Sequence, residues 1–104
     1  MEIKLSRDAQ FVQAKLYKAY LEQRKNGYGK GLAREIADDK ISELFAGKNR
    51  DDIVDALDEL KRNGLIKSDI IGNIYLCDAL IISMENRFKD GLNEVLSFLS
   101  QFIP

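Results

Sequence analysis

The chain has 104 residues and a formal net charge of −1, and 45% of its residues are hydrophobic and 32% charged. This length predicts one domain that forms a core without metal or disulfide support, and the composition is not that of a disordered chain. Histidine is absent and cysteine occurs once, at Cys77, which excludes the usual catalytic triads, most zinc sites and an internal disulfide. We therefore expect no enzymatic activity, no catalytic residues, no metal and no cofactor.

The first predicted element is a helix from Ser6 to about Lys25. Ser6 is a suitable N-cap, and Asp8 lies in the first turn, where the helix dipole favours an acid. Apolar residues repeat on one face at helical spacing, and Asn26-Gly27 is a natural stop. The following GYGKG, residues 27–31, has three glycines but no preceding strand. We interpret it as a connector between helices rather than as a phosphate-binding loop.

Two helices are predicted next, over residues 32–46 and 50–62, with a tight turn between them. The apolar stripe of the first has steps of three and four and consists of Ala33, Ile36, Ala37, Ile41, Leu44 and Phe45. Asn49 is the expected N-cap of the second helix, and Gly64 suits the left-handed position after its end. The buried face of this second helix is expected to be Ile53, Ala56, Leu57 and Leu60.

A β-hairpin and a long helix complete the prediction. The strands are Leu65–Ile71 and Ile74–Cys77, and Gly72-Asn73 suits a two-residue type II′ turn between them. Asp78 is the expected cap of a final helix that reaches Phe102. Gly91 is unfavourable inside a helix, so it predicts a bend or a division into two shorter helices.

The segment DALDELKRNGLI, Asp55–Ile66, matches the pattern L-x-x-L-x-x-x-G-L-I. In this segment and in its order of elements the chain resembles winged helix-turn-helix domains, in particular small MarR-like and PadR-like proteins of Gram-positive bacteria and their phages. The resemblance implies a mainly α, α+β fold with a three-helix core, a two-stranded β-hairpin wing and a long C-terminal helix. It places residues 1–77 in the core with its wing and residues 78–104 in a C-terminal dimerisation helix.

The resemblance also implies that a homodimer binds duplex DNA as a small transcriptional regulator. In such domains the third helix enters the major groove, and side chains near its start read base edges. The candidates for base reading are Lys48, Asn49 and Arg50. The candidates for phosphate contacts are Arg34, Lys61, Arg62 and Lys67.

The third predicted helix departs from this pattern, because between Asp51 and Glu59 it has five carboxylates and no base. Phosphate repels carboxylates, and the basic excess of the chain lies instead in residues 1–31, with seven Lys/Arg and three Asp/Glu. One interpretation is a solvated helix surface, with Asp51 and Asp52 stabilising the helix N-terminus. Another is an alternative function, a protein-interaction module whose acidic third helix meets a basic protein partner, as an adaptor, a DNA mimic or a mobile-element protein.

The last predicted helix has an apolar stripe whose 4-3-4-3 spacing suits a seam against another helix. The first predicted helix covers this stripe within the chain, or a second copy covers it in a homodimer. We expect the homodimer, because a small three-helix core cannot cover so much apolar surface. The dimerisation residues would be Phe88, Leu92, Val95, Leu96, Leu99 and Phe102.

No membrane partner is expected, because the polar side of residues 85–101 lacks the basic row of a membrane-surface helix. Residues 1–10 contain no apolar stretch of the kind that a signal peptide needs, and no run approaches membrane-spanning length. A lone thiol is typical of a reducing compartment. We therefore expect a cytoplasmic protein.

Overall fold

The structure is a computed structural model and describes residues 4–102. Its helices are α1 (Arg7–Lys25), α2 (Lys30–Ala33), α3 (Asp38–Leu44), α4 (Arg50–Arg62), α5 (Asp78–Arg87) and α6 (Leu92–Leu99). Its strands are β1 (Glu35–Ile36), β2 (Ile66–Ser68) and β3 (Ile74–Leu76), and a 3₁₀ turn spans Ser100–Phe102. The described chain is therefore mainly helical with a small antiparallel sheet, which agrees with the predicted α+β class.

Helix α1 lies at the centre of the core. The Ser6 hydroxyl accepts a hydrogen bond from the Ala9 N–H at 3.2 Å, and Gly27 follows the helix end with φ 98°, so both predicted boundaries are confirmed. The helix contacts α4, α5 and α6. Its buried side chains therefore spread around much of its circumference: Ala9, Val12, Gln13, Ala14, Leu16, Tyr17, Ala19 and Tyr20.

The prediction of one helix over residues 32–46 is wrong, because strand β1 interrupts it. Glu35 and Ile36 pair antiparallel with β3, and the Arg34 carbonyl accepts a hydrogen bond from the Leu76 N–H at 3.0 Å. Ile36 is fully buried in this position. The pairing satisfies backbone groups and buries an isoleucine, so contacts with a distant strand override the local helical spacing.

Helix α4 has the predicted ends. The Asn49 side chain accepts a hydrogen bond from the Asp52 N–H at 3.1 Å. At the other end Gly64 has φ 72°. The N–H groups of Gly64 and Leu65 donate to the carbonyls of Lys61 and Leu60, each at 3.0 Å, which is the Schellman arrangement of a helix C-terminus.

The sheet has the order β1-β3-β2 and therefore three strands, not the two predicted. Each hairpin strand has three residues, and the register pairs Lys67 with Tyr75. A loop of residues 69–73 joins the strands. The predicted two-residue Gly72-Asn73 turn is wrong because the Asp69 carboxylate closes a longer loop through backbone N–H groups.

The C-terminal part folds back on α1. Gly91 has φ 71° and separates α5 from α6, so the predicted division into two helices is confirmed. The predicted Asp78 cap is wrong: Cys77 is the N-cap residue, without a side-chain hydrogen bond, and Asp78 lies in the first turn. In the first turn the helix dipole favours an acid, and there Asp78 also pairs with Arg34.

The six predicted dimerisation residues, from Phe88 to Phe102, form an apolar stripe in and around α6, which we refer to as the α6 stripe. The expectation that nothing within the chain covers this stripe is also wrong. Phe88, Val95 and Leu99 are buried within the single chain, and α6 packs against α1. Leu92 and Phe102 are partly buried, and Leu96 is exposed. Helix α1 covers the stripe because it offers apolar residues on several sides. Dimerisation through this stripe stays a prediction, with Leu96 as the residue exposed for it.

Candidate interaction surface

A cleft opens between α3, α4 and the β2–β3 hairpin, and we refer to it as the hairpin cleft. Its volume is about 730 Å³, within the range of pockets that take small ligands or a few side chains. Its apolar lining consists of Ile41, Phe45, Ala46, Ile53, Val54, Leu57 and Ile74. Its charged lining consists of Lys48, Arg50, Lys61, Asp38 and Asp69. Apolar and charged side chains thus both line the cleft.

Helix α4 presents two different flanks beside this cleft. Arg50, Val54, Leu57 and Lys61 line the cleft and follow steps of four, three and four. Asp51, Asp55 and Asp58 follow the same steps one residue later, which rotates them by about 100° around the helix. All three acids are exposed. We refer to them as the acidic flank, and it lies beside the cleft rather than in it.

The hairpin loop, residues 69–73, is closed by one carboxylate. Asp69 Oδ1 accepts hydrogen bonds from the N–H groups of Ile71, Gly72 and Asn73 at 3.0, 3.0 and 2.9 Å. Asp69 Oδ2 accepts one from Asn73 Nδ2 at 3.0 Å. Desolvation raises the pKa of Asp69, but the hydrogen bonds from Asn73, Gly72 and Ile71 outweigh it and hold the pKa below the ordinary aspartate value.

The loop is also attached to α3. The Asn73 side-chain oxygen accepts a hydrogen bond from the Asp38 N–H at 2.9 Å. Gly72 has φ 105°, and a Cβ on it would lie 2.6 Å from the Asp38 Oδ1. Only glycine fits this position without displacing Asp38. The closed loop holds Ile70 and Ile71 outward, with 103% and 75% of their surface exposed.

Three of the predicted DNA-binding residues make side-chain contacts with other residues of the chain. The Arg34 guanidinium donates a hydrogen bond to the Asp78 carboxylate, and this bond raises the pKa of Arg34. The Arg34 side chain is only 18% exposed. Lys48 Nζ lies 5.1 Å from the centroid of the Phe11 ring, within the range of a cation–π contact. Asn49 caps α4.

The other four predicted DNA-binding residues are exposed, as are Lys48 and Asn49. Lys61 Nζ is 3.9 Å from Asp58, at the long end of ion-pair distances. Arg50, Arg62 and Lys67 form no ion pair within residues 4–102. The structure brings Lys48, Arg50 and Lys61 together at the hairpin cleft, whereas Arg34, Arg62 and Lys67 do not line it. Their binding to DNA stays a prediction.

Three exposed apolar residues of this surface do not follow from the sequence pattern. Ile70 and Ile71 were expected in a strand, and Val54 was outside the predicted buried stripe of its helix; it is 44% exposed. A signal for the loop is present in the sequence, since an aspartate commonly accepts hydrogen bonds from the backbone two residues on and so starts a turn. Asp69 is such a residue, and it accepts the Ile71 N–H.

In comparisons with known proteins, no family model, no curated protein and no solved structure matches this chain. Over residues 4–102, no helix has both the length and the apolar character for a bilayer crossing. The same part of the chain has no cluster of three or more metal-ligating Cys, Asp or Glu side chains.

Proposed function

We propose that this chain is a non-enzymatic protein-interaction module on a winged-helix scaffold. The winged-helix assignment is supported by the order of α1, α3, α4 and the hairpin. It is also supported by Asp55–Ile66, which spans the end of α4, the Gly64 turn and the start of β2, where such domains pass from the third helix into the wing.

The observation that carries the proposal is the composition of the surface around α4 and the hairpin loop. In a winged-helix domain that binds DNA, this surface would face phosphates, which basic side chains neutralise. Here α4 exposes the acidic flank, and the hairpin loop exposes two isoleucines. Exposed apolar side chains on an ordered loop beside a partly apolar cleft favour contact with protein.

Binding of duplex DNA by a homodimeric transcriptional regulator is the second candidate function. One observation favours it: Arg50, Arg62 and Lys67 are exposed and form no ion pair in the described part of the chain. Together with Lys48 they could each meet a phosphate. The three carboxylates of the acidic flank oppose this, because they lie on the same helix as Arg50 and Arg62.

A photo-crosslinking amino acid at position 71, incorporated in living cells, tests the proposal. Ile82 provides the matched control position, since it is 57% exposed on α5 and does not line the hairpin cleft. We expect protein adducts from position 71 that are absent from position 82. Nucleic-acid adducts from position 71, without protein adducts, would contradict the proposal.

A further inference from the structure

We propose that the hairpin cleft is occupied by the hairpin loop of a second copy of this chain, so that two copies exchange loops about a two-fold axis. The proposal rests on the protein-interaction function above and names the partner as the chain itself. It also moves the dimer contact away from the α6 stripe, most of which the chain covers internally.

The inserting part is the side-chain pair Ile70 and Ile71. Both are exposed on a loop that four hydrogen bonds to Asp69 already hold in one shape. An ordered loop loses little conformational freedom when it docks, so more of the contact free energy remains for binding. Two adjacent aliphatic side chains in water also gain from burial.

The receiving part is the apolar lining of the hairpin cleft. Ile41, Val54 and Leu57 face into a volume of about 730 Å³, and Val54 is 44% exposed in the single chain. A pocket of this size, within the ~300–1,000 Å³ of small-molecule sites, has room for the two isoleucine side chains. The chemistry of the inserting and receiving parts matches, because both are aliphatic.

The charges of the inserting loop and of the cleft lining agree with a second copy as the occupant. From residue 68 to residue 75 the hairpin has one charged side chain, Asp69. The lining of the receiving cleft includes the three cations Lys48, Arg50 and Lys61 and the two acids Asp38 and Asp69. The inserting loop thus brings one carboxylate towards a cleft whose lining has three cations and two acids, which orients the approach.

The hairpin loop lies beside the cleft of its own chain, and this position allows two copies to form a closed two-fold dimer. Asp69 and Gly72 line the cleft, and Ile70 and Ile71 lie between them in the chain. A two-fold contact needs a surface that is complementary to itself, which requires the inserting and receiving parts in one patch. Each dimer then contains two equal loop-in-cleft contacts, and closure prevents further growth.

Sedimentation equilibrium of the full chain tests the proposal. We expect a dimer that Ile71→Asp and Val54→Asp each weaken by about a hundredfold or more, because an unpaired carboxylate in an apolar contact is strongly disfavoured. Ile82→Asp, which also replaces an exposed isoleucine, should leave the association unchanged. Circular dichroism of each variant checks that α1 and the other helices are intact.

Mixing the two weakened variants provides a second readout that unfolding cannot imitate. A heterodimer of Ile71→Asp with Val54→Asp keeps one intact loop-in-cleft contact, whereas either homodimer keeps none. The mixture should therefore associate more strongly than either variant alone.

A monomeric wild-type chain, or a mixture no stronger than its components, would overturn the exchange of loops. In that case protein adducts from position 71 would still support the interaction function and would assign the cleft to another protein. Duplex DNA bound through Arg50 would instead overturn the proposed function itself.

Discussion

Asp69 and Asn73 close the hairpin loop through two hydrogen bonds, from the Asn73 N–H to Asp69 Oδ1 at 2.9 Å and from Asn73 Nδ2 to Asp69 Oδ2 at 3.0 Å. Asn73 in turn accepts from the Asp38 N–H. This chain of contacts ties the loop to the start of α3. It keeps Ile70 and Ile71 exposed at the edge of the hairpin cleft.

Asp69→Ala should open the loop. The N–H groups of Ile71, Gly72 and Asn73 lose their shared acceptor, so we expect faster amide hydrogen exchange at these three positions and weaker self-association. Exchange in α1 should be unchanged, because no α1 residue bonds to Asp69. Unchanged exchange at Ile71 and Gly72 would contradict the role of the carboxylate.

The same carboxylate predicts a pH dependence of loop order. The folded pKa of Asp69 is depressed, so its contribution is present above the unfolded value of about 3.9 and is lost as the pH falls through the lower folded value. Nuclear magnetic resonance of the Asp69 carboxyl carbon measures the folded pKa directly. A value at or above that of a model peptide would contradict the hydrogen-bonded loop.

Glu59 connects α4 to the start of α1. Its carboxylate oxygens accept from the Ser6 N–H at 2.8 Å and the Ser6 hydroxyl at 2.7 Å, and these bonds lower the pKa of Glu59. We expect Ser6→Ala to reduce the free energy of unfolding by about 1–2 kcal/mol, since it removes both the N-cap and one bond to Glu59.

A double-mutant cycle separates these two roles of Ser6. Glu59→Gln should flatten the loss of stability with acid, because the Glu59 contribution is present above about pH 4.3 and disappears as the pH falls through its lower folded pKa. Additive effects of Ser6→Ala and Glu59→Gln in urea denaturation would show that the two side chains do not interact.

Gly64→Ala should destabilise the fold by about 1 kcal/mol, because Gly64 has a left-handed backbone with φ 72° that alanine adopts at a cost. No neighbouring atom lies within 4 Å of an added Cβ, so the effect is one of backbone conformation alone. Gly31→Ala, in α2, is the matched control and should be neutral or stabilising. Equal effects of both changes on the unfolding midpoint would contradict this explanation.

Leu96→Glu distinguishes the two possible dimer contacts. Leu96 is 44% exposed on α6 and does not line the hairpin cleft. If loops are exchanged, the substitution leaves the dimer dissociation constant unchanged. Loss of the dimer with this variant, together with an unaffected Ile71→Asp variant, would return the contact to the α6 stripe.

Features set by neighbouring residues could be predicted from the sequence. The Ser6 and Asn49 caps, the Gly64 turn and the division at Gly91 depend on side chains and backbone within a few positions. The features that were missed depend on distant contacts. Strand β1 forms because β3 pairs with it, and Asp78 pairs with Arg34, which is 44 residues away in the sequence.

The candidate surface was predictable only in part, for the same reason. Lys48, Arg50 and Lys61 could be selected by residue type and by their place near the third helix. Their meeting with Ile41 and Ile74 in one cleft depends on how α3, α4 and the hairpin pack. The cover of Val95 and Leu99 depends on α1, far away in the sequence.

The central claim is that the surface around the hairpin cleft binds protein and not DNA. Titration of the full chain with mixed-sequence duplex DNA at low ionic strength tests this claim most directly. We expect no measurable binding, because the acidic flank on α4 repels phosphate and the hairpin loop offers no cation. Binding that weakens steeply with added salt, and that Arg50→Glu abolishes while Ile71→Asp does not, would contradict the protein-interaction function.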